Sequence, residues 1–279
     1  MKKFIVALVV ITPLVVAVYL HTKKVFYGNN PEAGHYVNVR GIKIYYEIYG
    51  SGKPLLFLHG NGMSINSFSN QIPSFSDEYK VIAVDSRAQG RSVDTGDSLS
   101  YEMMADDFNS LLDYLQLDSC YVLGWSDGAI NALLLAIRHP EKVQKLAITG
   151  ANLWPDSTAV EPSIYRWLIN KVDSLSKLPR TADTENRYKL MSMMLKEPHI
   201  SVQQLKSVKC PALVIGGDHD ALLPKHTVLI AESIPQSYLW ILPHSGHATP
   251  VNYTKQFNET VLNFFKNPYK PIEGLDRFN

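Results

Sequence analysis

The chain has 279 residues, 46% of them hydrophobic, and 27 basic against 26 acidic residues. That suits one globular body with a sizeable core, and it excludes the broad basic face that nucleic-acid binding needs. The two cysteines, Cys120 and Cys210, form no CxxC pair. Each precedes an apolar run, so both are expected as buried free thiols rather than metal ligands.

The N-terminus breaks the bland composition. Lys2 and Lys3 precede 17 uncharged, mostly apolar residues, Phe4 to Leu20, and His21, Lys23 and Lys24 follow. This run just reaches the lower limit for a membrane span. Residues 1–24 are expected to be an uncleaved signal-anchor or, with cleavage after Ala17, a signal peptide. The body is then membrane-anchored, or exported to a periplasmic or extracellular space. Residues 25–34, with Gly28, Asn29-Asn30-Pro31 and Gly34, read as a linker.

Next come HYVNV and IKIYYEIYG, two β-rich runs separated by Arg40-Gly41, a hairpin signal. Six short apolar runs follow: PLLFLHG (54–60), KVIAVDSR (80–87), YVLGWS (121–126), KLAITG (145–150), PALVIGG (211–217) and SYLWILP (237–243). Between them, residues 101–117, 127–140, 226–235 and 254–266 carry apolar residues at helical spacing. Continuous apolar strands alternating with helices predict an α/β fold: a mostly parallel sheet with helices on both faces. The core is expected over 35–150 and 208–267, with a short tail over 268–279.

Residues 151–207 lack a clear strand and interrupt the alternation. Their apolar content (Trp154, Tyr165, Trp167, Tyr188, Met191, Met193 and Met194) exceeds what a loop needs. A small helical cap over the site accounts for it.

The chemistry centres on Gly124-Trp125-Ser126-Asp127-Gly128. A strand leads into it and a helix follows, the context in which G-x-S-x-G forms a sharp turn that exposes a nucleophilic serine. Glycines are needed at both ends, because side chains there collide with the adjoining strand and helix. Ser126 needs a base oriented by an acid, in the chain order Ser, Asp or Glu, His. GGDHDALLP offers Asp218 and Asp220; Asp220 is the choice, and Asp218 reads as a turn residue. PHSGHATP offers His244 and His247; His247 is the choice, because Ser-Gly lets that loop swing over the sheet edge, while His244 is expected to pack.

The oxyanion hole is expected from the backbone N–H groups of Asn61 and Asp127, with Gly62 or Met63 as rivals to Asn61. His59 reads as a loop-shaping residue rather than a base. Candidate substrate contacts are Asp127, Met63 and Trp154. HExxH is absent, and neither a metal nor a cofactor is implied.

The pieces HGNG, DSRAQGRS, GWSDG, GGDHDALLP and SGH stand in the order and at the spacing of the α/β-hydrolase superfamily, which the chain resembles over about residues 35–267. That resemblance implies an eight-stranded sheet with the second strand antiparallel to the rest. Ala88 departs from it, since the family motif has glycine there. Over about residues 121–156 the chain looks like the biphenyl-hydrolase-like branch, which includes valacyclovir hydrolase. In that branch the residue after the nucleophile is also aspartate, and it reads the α-amino group of aminoacyl esters. The resemblance therefore implies an ammonium-binding role for Asp127. The competing reading is that aspartate is simply favoured at a helix start.

The expected function is a serine hydrolase that cleaves a small-molecule ester through an acyl-enzyme. The alternatives are the same triad acting on amide, lactone or carbon–carbon bonds, and a membrane-tethered binding protein on the same scaffold.

Overall fold

A computed structural model describes residues 25–278. The region read as anchor or signal, residues 1–24, lies outside the described residues. Among those described, no helix is long and apolar enough to cross a membrane.

All eight expected strands form. They are β1 (Gly34–Val39), β2 (Ile42–Tyr49), β3 (Lys53–Leu58), β4 (Tyr79–Val84), β5 (Cys120–Trp125), β6 (Val143–Thr149), β7 (Ala212–Gly217) and β8 (Ser237–Leu242). They make one sheet in the order β1-β2-β4-β3-β5-β6-β7-β8. β2 runs antiparallel to both its neighbours, and every other pairing is parallel. The β1–β2 hairpin turns through Arg40 and Gly41, both with positive φ (46° and 82°), the signature of a turn whose twist matches its strands.

The helices are α1 (Ile72–Ser76), α2 (Tyr101–Tyr114), α3 (Asp127–Arg138), α4 (Pro162–Ser176), α5 (Ala182–Lys196), α6 (Val202–Leu205), α7 (Pro224–Ser233), α8 (Thr249–Asn252) and α9 (Thr254–Lys266). Strand side chains alternate between two cores. Leu56 and Leu58 join α2 and α3 residues such as Phe108 and Leu133 on one face. Leu55 and Phe57 join Phe68, Phe75, Phe257 and Phe265 on the other. Both faces are covered, which is why the central strands read as solid apolar runs rather than as alternation. Cys120 and Cys210 are free and buried, on β5 and just before β7, with β6 between those strands.

The stretch 151–207 carries α4, α5 and α6, the first two of 15 residues each. Its entry is strapped to the body: Glu161 N–H donates to the Ala221 carbonyl and Leu223 N–H to the Ala159 carbonyl, both at 2.8 Å. α5 rests on the loop after β4, where Asn186 donates to the Ala88 carbonyl (2.7 Å) and Lys189 to that of Gly96 (2.7 Å). Ala88 itself holds φ +64° with its methyl buried. The glycine expected there would relieve strain of about 1 kcal/mol.

The residues read as a linker are fixed to the sheet. Glu47, fully buried on β2, accepts the N–H groups of Gly28 and Asn30 at 2.8 Å each.

Candidate active site

Ser126 sits between β5 and α3 with φ 57° and ψ −122°, a conformation that side chains rarely adopt. The flanking glycines permit it. A Cβ on Gly124 would lie 2.4 Å from the Gly128 carbonyl oxygen, and one on Gly128 would lie 1.9 Å from that of Leu58. Strand, helix and neighbouring strand therefore close to within van der Waals contact, and the serine is lifted to the carboxyl edge of the sheet.

Three loops from that edge meet at the serine. His247 Nε2 lies 2.9 Å from Ser126 Oγ, and His247 Nδ1 lies 2.6 Å from Asp220 Oδ1. Asp220 is buried, and its oxygens also accept the N–H groups of Gly217 (3.4 Å) and Leu222 (3.3 Å). The carboxylate is thereby fixed, and it orients the imidazole with Nδ1 protonated and Nε2 free to take the serine proton. The His247 side chain is 30% exposed, so the group opens to solvent on one side.

The rival residues occupy other roles. Asp218 holds the loop, accepting Ser245 N–H (3.0 Å) and pairing with His219 (2.8 Å). The His219 hydrogen bond, ahead of backbone donors, holds its carboxyl down to about 2. His244 is exposed with φ +56° instead of packed, because the turn out of β8 bends there. His59 is buried, with Nδ1 directed at the Gly60 carbonyl (2.8 Å) and Nε2 accepting Ser86 N–H (3.0 Å). Burial pushes it down to about 4, so it is neutral and ties two loops together.

The backbone N–H groups beside the serine differ in what they bond. Gly62 N–H donates to Gln89 Oε1 (2.6 Å) and Met63 N–H to the Gly60 carbonyl (3.2 Å), so both rivals are engaged. The N–H groups of Asn61 and Asp127 have no partner among the described residues. The loop abuts the serine: a Cβ on Gly60 would lie 3.0 Å from Ser126 Cβ and 3.3 Å from Met63 Sδ. Met63 thus borders the serine. Trp154 stays outside this group, edge-on to His226 (4.7 Å) with its indole N–H on Thr158 (2.8 Å).

Asp127 is only 2% exposed. Its Oδ2 accepts the Asn61 side-chain amide at 2.8 Å, and the buried Tyr101 hydroxyl also bonds to it. Burial nevertheless pushes its carboxyl up to about 6, against the lowering effects of Asn61, Tyr101 and His247. Two of its roughly four lone-pair sites remain for another donor.

Some supporting residues were not legible beforehand. The Trp125 indole N–H donates to the His247 carbonyl at 3.0 Å. Gly150, with φ +70°, lies against the imidazole, where a Cβ would come within 2.7 Å of His247 Cε1. Its place directly after an apolar run was the one available signal. Tyr101 and Gln89 carried none. A cleft of about 840 Å³ opens between the loop after β4 and α5, lined by residues such as Ala88, Asp94, Asn186 and Ser192; Ser126, Asp220 and His247 do not line it. The chemistry, rather than cavity size, locates the site.

The chain is similar to several known proteins. A family model described as alpha/beta hydrolase fold matches residues 53–171. The chain is 27% identical over 254 residues to serine hydrolase BPHL of Mus musculus, covering 82% of this chain and 85% of that one. It is 26% identical over 270 residues to 2-hydroxymuconate semialdehyde hydrolase of Pseudomonas sp. (strain CF600), covering 85% and 95%. A solved thermophilic esterase from Thermogutta terrifontis superposes with a TM-score of 0.71 at 22% identity, covering 84% of this chain and 98% of that one.

Proposed function

For this chain, a member of the α/β-hydrolase superfamily, we propose a serine hydrolase acting on carboxylic esters, with Ser126 as nucleophile, His247 as base and then acid, and Asp220 as orienter. One observation carries the reading: the continuous hydrogen-bonded chain Ser126–His247–Asp220 at 2.9 and 2.6 Å. Ser126 Oγ attacks the ester carbonyl carbon while its proton passes to His247 Nε2. The oxyanion is received by the N–H groups of Asn61 and Asp127, beside the positive end of α3. The carbon–oxygen bond to the alcohol then breaks, and the alcohol leaves with the proton from His247. Water, deprotonated by His247, releases the acyl group by the same steps in reverse. Asp220 holds the imidazole tautomer that both halves require.

The preferred ester is an α-aminoacyl ester. Support comes from the Asp127 carboxylate, buried beside the serine with two lone-pair sites unused and too few donors to offset its desolvation. Such a group gains from an incoming ammonium, and a charge-assisted contact of this kind contributes about 1.5–3 kcal/mol. The similarity to serine hydrolase BPHL agrees with a nucleophilic serine.

The test compares p-nitrophenyl esters of equal length, one acyl and one α-aminoacyl. Ser126→Ala should lose both. Asp127→Ala should lose the aminoacyl ester selectively; equal loss of the two, or none, would remove the ammonium role and leave a general esterase. Turnover of every ester by Ser126→Ala at the wild-type rate would remove the whole assignment.

A further inference from the structure

Among the described residues, two side chains bond to the Asp127 carboxylate, those of Asn61 and Tyr101. They differ in what they leave over. Tyr101 is buried, and its one hydroxyl proton goes to Asp127. Asn61 is half-buried, on the loop after β3 that abuts Ser126. Its amide nitrogen stands between two acceptors, Asp127 Oδ2 at 2.8 Å and the Leu190 carbonyl of α5 at 3.4 Å. Turning the amide over would set Oδ1 against both of those oxygens, lone pair against lone pair. The body and α5 thus fix the amide from two sides, with Oδ1 directed at neither.

That Oδ1 has no partner among the described residues, and it is not sealed from solvent. Neighbouring acceptors are engaged: the Leu190 carbonyl by the Asn61 amide, the Gly60 carbonyl by Met63 N–H, and Gln89 Oε1 by Gly62 N–H. Asn61 therefore offers a backbone N–H to an oxyanion and a side-chain oxygen to a donor. In an α-aminoacyl ester the carbonyl oxygen and the ammonium nitrogen stand on neighbouring carbons. One residue with a donor for the first and an acceptor for the second matches that pair. An ammonium also carries three N–H donors, and leaving one unmet away from water is costly.

We propose that Asn61 is a specificity-determining residue for aminoacyl esters: its Oδ1 accepts a hydrogen bond from the same α-ammonium that pairs with Asp127. The substrates are then esters whose α-ammonium keeps at least two N–H donors, one for each acceptor. This rests on the α-aminoacyl ester reading above.

The test measures kcat and KM for the α-aminoacyl and acyl p-nitrophenyl esters at pH 7 in wild type, Asn61→Ala, Tyr101→Phe and Asp127→Ala. Asn61→Ala and Tyr101→Phe each remove one donor from Asp127, but only Asn61→Ala also removes an acceptor for the substrate. Any disturbance of the backbone N–H at position 61 slows both esters and cancels in the ratio of their kcat/KM values. Asn61→Ala should lower the aminoacyl-to-acyl ratio about tenfold, mainly through KM for the aminoacyl ester, and Tyr101→Phe should lower it less than about threefold. An equal fall in the two variants overturns the proposal, because Asn61 would then only hold Asp127 in place; so does a fall carried by kcat alone. Calorimetric binding of alanine methyl ester in a Ser126→Ala background reads the same contact without turnover. Adding Asn61→Ala should weaken that binding about tenfold, and unchanged binding overturns the proposal. Failure of the aminoacyl reading registers separately: wild type and Asp127→Ala would then share one ratio, and the role of Asn61 would fall with it.

Discussion

The indole N–H of Trp125 donates to the backbone carbonyl of His247 at 3.0 Å. The residue before the nucleophile thus holds the loop that carries its base. Trp125→Phe keeps the buried ring and removes this bond. We expect kcat to fall about fivefold, the equivalent of about 1 kcal/mol, with KM little changed. An unchanged kcat would mean that Gly150 and Asp220 suffice to place the imidazole.

Asp220 stands in a fixed cage of N–H donors and reaches His247 at 2.6 Å. Asp220→Asn preserves the shape but favours the wrong imidazole tautomer. A loss of about 10⁴-fold in kcat is expected, with the melting temperature nearly unchanged. Asp218→Asn should cost far less activity, because Asp218 serves the loop alone. Comparable losses from the two variants would reverse the choice between the carboxylates.

Asp127 gives a prediction with a pH sign. Its folded pKa, about 6, lies above the ordinary 3.8, so the folded chain binds this proton more tightly than the unfolded one. Its contribution to stability therefore falls as pH rises from about 4 to about 6, and the burden persists above that window. Asp127→Asn should be more stable than wild type at pH 8, by about 1–3 kcal/mol, and no more stable near pH 4. Urea unfolding at the two pH values measures this.

The same ionisation should govern selectivity. The preference of wild type for an α-aminoacyl over an acyl ester should grow as pH rises through about 6 and fall again near pH 8, where the substrate's α-amino group loses its proton. Asp127→Asn should show a flat ratio. A flat wild-type ratio would falsify the ammonium contact without touching the triad.

Lys145, on β6 and 9% exposed, sends its ammonium into the end of α9, where it donates to the carbonyls of Phe264 (3.0 Å), Phe265 (2.9 Å) and Asn267 (2.5 Å). The last carbonyls of a helix have no partners of their own, and a cation there also meets the negative end of the helix. Lys145→Met should destabilise the fold by about 2–4 kcal/mol while the native protein keeps its specific activity. A change below about 0.5 kcal/mol would show that water caps these carbonyls equally well.

The sequence by itself determined the order of strands and helices, because strands covered on both faces must be apolar throughout and the helices between them must carry an apolar stripe. It located the turn at Ser126, since only glycines tolerate contacts as close as those at Gly124 and Gly128. Candidate partners followed from position after a strand, because strand ends in a parallel sheet collect at one edge. Choosing among them was another matter. Asp218 and Asp220 are two residues apart in one loop, and only the folded backbone turns one carboxylate inward to His247 and the other outward to Ser245. The contacts of Asp127 with Asn61 and Tyr101 join three distant stretches of chain. Trp125 and His247 are 122 residues apart. No local pattern encodes such contacts, because they depend on which side chains the packing of whole elements brings within 3 Å. The exposure of Trp167 was likewise a tertiary matter: helical spacing marks it as apolar, but only the seating of α4 on the body leaves it facing outward.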